Sequence, residues 1–153
     1  MNVASHLEKI ERLEGFRARL DPIADFELWF WAGMTAGTHA VNAALHCAGV
    51  TDGSDAYATQ PGVYLVPSAR GELEPQFRPL GDVLHVGRPR VEGPVPDDIA
   101  VMMRHMENVE HYRDPCVREG VAPTGEDVHA CDAAVRACVG LLAMRVSRGT
   151  DGR

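Results

Sequence analysis

The sequence predicts an all-α protein, an antiparallel four-helix bundle with a long irregular insertion between its second and third helices. Three observations predict it. Apolar residues recur at three- and four-residue steps in four separate stretches. One of those stretches, Leu28 to Val50, carries no Asp, Glu, Lys or Arg and reads as a central helix. Seven of the 10 prolines fall together in the middle of the chain, at Pro61, Pro67, Pro75, Pro79, Pro89, Pro94 and Pro96. No helix survives that density, so the order lies on either side of it.

The first helix is expected from about Val3 to Leu20, where Val3, Leu7, Ile10, Leu13, Phe16 and Leu20 form the apolar stripe. Asp21-Pro22 ends it and opens the second helix, with Asp21 as N-cap and Pro22 at the first helical position. That second helix runs to about Ala48. Ala32, Ala36, Ala40, Ala44 and Ala48 repeat every four residues beside Gly33 and Gly37, so little bulk keeps another backbone away. Residues 51–96 form the insertion. Val63–Val66 and Asp82–Val86 are its two strand-like runs and could pair as a short β-hairpin. The third helix opens at Pro96-Asp97-Asp98 with acids where the helix dipole favours them, and Ile99, Met102, Met103, Met106 and Val109 form its stripe. It stops near Asp114-Pro115. Thr124-Gly125-Glu126-Asp127 resembles a capping box for the last helix, whose stripe is Val128, Cys131, Val135, Cys138, Leu142 and Val146. Residues 1–146 are read as one domain and 147–153 as a frayed polar tail.

Composition narrows the function classes. The chain has 153 residues, 45% hydrophobic and 24% charged, which suits a globular domain and excludes disorder, collagen-like repeats and a disulfide mini-scaffold. A formal net charge of −7 lacks the footprint of a general nucleic-acid or anionic-membrane binder. The polar residues Thr35, Thr38, His39, Asn42 and His46 argue against a membrane span for Leu28 to Val50. No basic and apolar leader pattern opens the chain. Cys47, Cys116, Cys131 and Cys138 form no Cys-x-x-Cys pair, and Cys131 and Cys138 stand about 10 Å apart along one helix. Reduced thiols in the cytoplasm are the expectation.

The strongest polar signal is on the second helix. Thr35, His39, Asn42 and His46 follow at steps of four, three and four, on one face of an otherwise uncharged helix. Buried polar groups need a partner, so this face meets solvent, a second chain or a ligand. The third helix adds His105, Glu107, Glu110, His111 and Asp114. Imidazoles with carboxylates are the usual ligands of zinc, iron or manganese. A set of His39, His46, His105, Glu107 and His111 is the alternative in which a divalent metal binds. The di-iron bundle pattern needs Glu-x-x-His on two helices, and only Glu126 to His129 has that spacing, so no metal or other cofactor is assigned.

The stretches Trp31 to Leu45 and Glu110-His111-Tyr112-Arg113-Asp114 resemble the HEPN (higher eukaryotes and prokaryotes nucleotide-binding) helical bundles over residues 22–146. The resemblance implies an all-helical dimer and, in active members, RNA cleavage by an Arg followed after four to six residues by His. Arg104 and His111 fit that spacing; Arg113 meets no His until His129. The helix that carries the pair is acidic, which disfavours RNA.

Two functions follow as expectations. The first is a non-enzymatic binding module that self-associates as a homodimer and holds a small molecule between the second helix and the insertion, with Thr35, His39, Asn42, His46 and His105 as ligand contacts. The second is an enzyme, metal-dependent or HEPN-type, that works through the histidines, with Arg104 and His111 as catalytic candidates.

Overall fold

A computed structural model describes residues 1–51, 63–67, 69, 70, 73–77 and 94–150. Among them are four α-helices that pack on one another: α1 (Val3–Arg17), α2 (Phe26–Cys47), α3 (Asp97–His111) and α4 (Gly125–Thr150). Helix α2 is the centre, with α1, α3 and α4 all against it, and α3 also packs on α4. The core is Phe30, Val41, Leu45, Ile99, Met102, Val109, Val135, Cys138 and Leu142. Ala36, Ala40, Ala43 and Ala44 are buried completely. Small residues let the neighbouring helices close on α2: Gly37 faces Met106 of α3, and Gly33 faces Arg17 and Val135.

Each helix boundary has a local cause. Asn2 caps α1, its Oδ1 accepting from the Ser5 N–H at 2.8 Å. The helix ends at Arg17 rather than Leu20, and α2 begins at Phe26 rather than Pro22. Asp21 is the reason. Its carboxylate accepts the N–H groups of Ile23 and Ala24 at 2.9 and 2.8 Å, which closes a separate turn ahead of the helix. Those backbone bonds, Ala24 first, hold the Asp21 carboxyl below its ordinary range. Asp25 then supplies the first carbonyl of α2, accepting from Trp29 at 3.0 Å. Gly49, at φ +68°, ends α2 in the left-handed conformation, with the Val50 N–H reaching the Leu45 carbonyl at 3.0 Å.

Helix α3 stops at His111, and Arg113–Arg118 forms a π-helical turn. Pro115 within it has no N–H to continue the α-helical ladder. The bonds step out instead, Glu119 N–H to the Asp114 carbonyl and Val121 N–H to the Pro115 carbonyl, both at 2.9 Å. Thr124 and Asp127 cap α4 reciprocally, with Thr124 N–H to Asp127 Oδ2 at 2.8 Å and Asp127 N–H to Thr124 Oγ1 at 3.2 Å. The helix continues to Thr150, past the expected tail boundary at 147. Asp98 in the first turn of α3 receives a two-pronged bond from Arg145, which ties α3 to the far part of α4.

Between α2 and α3 the described residues include an antiparallel ribbon, β1 (Val63–Pro67) with β2 (Leu73–Phe77), in which Leu65 faces Pro75. β1 contains the first expected run. Its partner is Leu73–Phe77, a stretch that contains Pro75. Both strands of a two-stranded ribbon have a free edge, which a proline tolerates. The other expected run, Asp82–Val86, lies outside the described residues.

Candidate functional site

The polar stripe of α2 divides. Thr35 is exposed and its hydroxyl donates to the Trp31 carbonyl of its own helix at 2.7 Å. Asn42 is buried. His39 and His46 are half-buried and meet a third histidine, His6 of α1. The His6 and His39 rings lie 5.1 Å apart, and their Nδ1 atoms share a 2.9 Å hydrogen bond. The His6 and His46 rings lie 5.3 Å apart. Thr51 holds His46 through Nδ1 at 2.9 Å, and its Nε2 is buried with no hydrogen-bond partner among the described residues.

His6 is 4% exposed. Burial is the largest influence on it, followed by repulsion from His39 and His46, and together they lower its pKa from 6.5 to about 4. Burial and then Lys9 lower His39 likewise to about 4. His6 thus faces both His39 and His46, and among the described residues no carboxylate is among the charges that act on His6 or His39.

The histidines of α3 have other neighbours. His105, Asn108, His111 and Tyr112 line one side of an open cavity of about 330 Å³, and Ala130, Ala133 and Ala134 of α4 form its opposite wall. The spacing of three puts His105, Asn108 and His111 along one side of α3, and alanines on α4 leave the volume in front of them unfilled. His111 is exposed and its ring stands edge-on to Tyr112 at 5.9 Å. Burial, and then the proximity of Cys131 and Asp127, raises the Tyr112 phenol, so it remains a neutral hydrogen-bonding group. Arg104 and Glu107 are exposed on the same helix.

Thus the structure gathers His39 and His46 with His6, and it gathers His105 with His111 at the cavity. Among the described residues no group of three or more His, Cys, Asp or Glu side chains stands arranged to hold a metal ion. The insertion's side of the expected pocket, residues 52–62 and 78–93, lies outside the described residues. No described helix is long and apolar enough to cross a membrane. Cys131 and Cys138 are buried, and burial pushes both thiols up to about 12, far from the thiolate that nucleophilic chemistry needs. Cys116 and Cys47 are raised by burial in the same sense.

His6, Asn108 and Tyr112 are the polar site residues that sequence reasoning missed. His6 did carry a signal: with Ile10 and Arg17 it makes a four-and-seven spacing, the buried face of α1. The expected stripe members Leu7 and Phe16 are instead 38% and 39% exposed. No protein-family model, curated protein or solved structure matches the chain.

Proposed function

We propose that the protein is a self-associating helical binding module that takes a small molecule in the α3–α4 cavity. The observation that carries this reading is the cavity itself. Its volume of about 330 Å³ is at the small end of ligand pockets, and polar groups converge on one wall above an alanine wall. That combination suits a compact, flat molecule with one hydrogen-bonding edge. His105, Asn108 and His111 supply donors and acceptors, and Ala130, Ala133 and Ala134 accept the apolar face. His105 is thereby kept from the expected ligand contacts. His39 and His46 of α2 serve the α1 interface, Asn42 is buried in the bundle, and Thr35 is exposed and bonded within its own helix.

Ligand-observed NMR with nicotinamide, adenine and benzoate as probes tests this. Saturable binding of at least one probe is expected. Ala133 is exposed at the cavity wall, so Ala133→Trp should block the cavity without disturbing the core and weaken that binding at least about tenfold, or about 1.4 kcal/mol. Binding that is unchanged in Ala133→Trp would place the ligand elsewhere. Self-association is expected through the head of α2 and the turn before it, where Leu28 and Ile23 are 57% and 47% exposed. Light scattering should give twice the chain mass for the natural sequence and the chain mass for Leu28→Glu.

One observation favours a second reading, a HEPN-type ribonuclease. Arg104 and His111 are both exposed, two turns apart along one side of α3, and His111 borders the cavity. Glu107 and Glu110 on the same helix oppose an RNA backbone. RNA cleavage that disappears in both Arg104→Ala and His111→Ala, with and without added divalent metal, would replace the binding reading with this one.

A further inference from the structure

The three-histidine cluster lies where the first turns of α1 meet the second half of α2. Its central contact is the 2.9 Å bond between Nδ1 of His6 and Nδ1 of His39. Such a bond needs one N–H and one bare nitrogen, so it survives only while at least one ring is neutral. Two imidazolium rings would point donor at donor. The charges around the pair give no relief. Among the described residues, Lys9 comes from α1, and His39 and His46 themselves come from α2. Every one of them is a cation or becomes one on protonation. The same cations disfavour a bound metal ion, which would add a further positive charge.

The placement in the fold makes the consequence local. Helix α1 packs principally on α2. At its C-terminal end Arg17 anchors it to Asp132 of α4 at 3.0 Å and lies over the Trp29 ring at 3.9 Å. At its N-terminal end the histidine cluster is the polar attachment. We infer that His6, His39 and His46 form an acid-released latch: protonation of both His6 and His39 breaks their bond and frees the N-terminal half of α1 from α2, while the Arg17 end stays in place. Asn42, one step between His39 and His46 on the same helix face, comes to solvent with them.

The sign follows from the lowered pKa of both rings. A histidine held near about 4 in the docked state and at 6.5 when released binds more protons in the released state between those values. The latch is therefore fully closed above pH 6.5 and loosens as the pH falls toward 4. At pH 5 one such ring shifts the docking equilibrium about thirtyfold toward release, and two shift it up to about a thousandfold.

Amide hydrogen exchange at pH 7.2 and 5.2, corrected for the intrinsic rate, tests the latch. Amides of residues 6–11 should lose protection by about thirtyfold or more relative to those of α3 and α4. In His6→Phe that relative change should shrink at least about tenfold, to the share that His39 contributes alone. Parallel loss of protection in α1, α3 and α4, or no loss at all, would overturn the inference. A second measurement stands if His6→Phe does not fold. The ring-carbon shifts of His6 and His39 in the natural chain should titrate below pH 5, and titration of both near 6.5 would overturn it equally.

Discussion

Arg17→Ala is expected to lower the unfolding free energy by about 3 kcal/mol, the largest effect of any charged side chain in the bundle. The side chain is 5% exposed. Its Nη1 pairs with Asp132 at 3.0 Å and reaches Glu14 at 3.5 Å. Its guanidinium stacks over Trp29, and it fills the space above Gly33, where an added Cβ would come within 3.1 Å of Nε. Alanine would empty that space and remove both the stacking and the ion pair at once. The ion pair is the smaller part. Asp132 is more exposed, at 28%, and keeps a second partner in Arg136 at 2.7 Å, so it is not stranded when Arg17 goes. Moreover, Nε of Arg17 is buried without a partner among the described residues, which subtracts from what the charge contributes. Arg17→Met should separate the parts. It restores the apolar bulk between Trp29 and Gly33 and is expected to fall within about 1 kcal/mol of the natural chain. Urea unfolding of the two variants decides. Equal losses would mean that the charge, and not the packed volume, holds the C-terminal end of α1.

That residue also shows why the sequence reads well at one level and poorly at the next. Helix α2 was legible because its composition leaves no alternative: an uncharged run rich in alanine belongs in the middle, and it sits there. The Thr124–Asp127 cap was legible because the four-residue signature contains the geometry. Helix α1 was not. Its apolar residues suggest a face through Leu7 and Phe16, but the buried face is His6, Ile10 and Arg17, about one residue around the helix. A histidine and an arginine look like surface until their partners are known, and those partners, His39, Trp29 and Asp132, come from α2 and α4. The cavity was half legible for the same reason. The spacing of His105 and His111 is local, whereas the alanine wall that leaves them room belongs to α4. The shift of the α2 start from Pro22 to Phe26 is a competition between two local rules. Proline fits the first helical turn, but the Asp21 carboxylate satisfies Ile23 and Ala24 first and closes a turn of its own.

The packing of Met106 against Gly37 supports a second large effect. Met106→Ala should cost about 3 kcal/mol, because the side chain is 4% exposed and its sulfur and methyl lie directly on Gly37 of α2. Gly37→Ala is the more informative change, since two terms oppose each other. Alanine is favoured over glycine within a helix by about 1 kcal/mol. Its Cβ, however, would lie inside the van der Waals envelope of the Met106 sulfur and methyl. Methionine is flexible, but this one is enclosed, so a new rotamer must displace packed neighbours at a cost of about 2–3 kcal/mol. The clash should win, giving a net loss of about 1–2 kcal/mol for Gly37→Ala alone. Combined with Met106→Ala, the same substitution should reverse its sign. The cavity left by the shortened side chain receives the new methyl group, the clash is gone and the helix preference remains. The double variant should therefore be more stable than Met106→Ala by about 1 kcal/mol, and the coupling between the two sites should be about 2–3 kcal/mol. Additive losses in that cycle would show that α3 does not rest on Gly37. Coupling of this size would mean that a missing side chain on α2 sets how closely α3, with His105 and His111 on it, approaches the centre of the bundle.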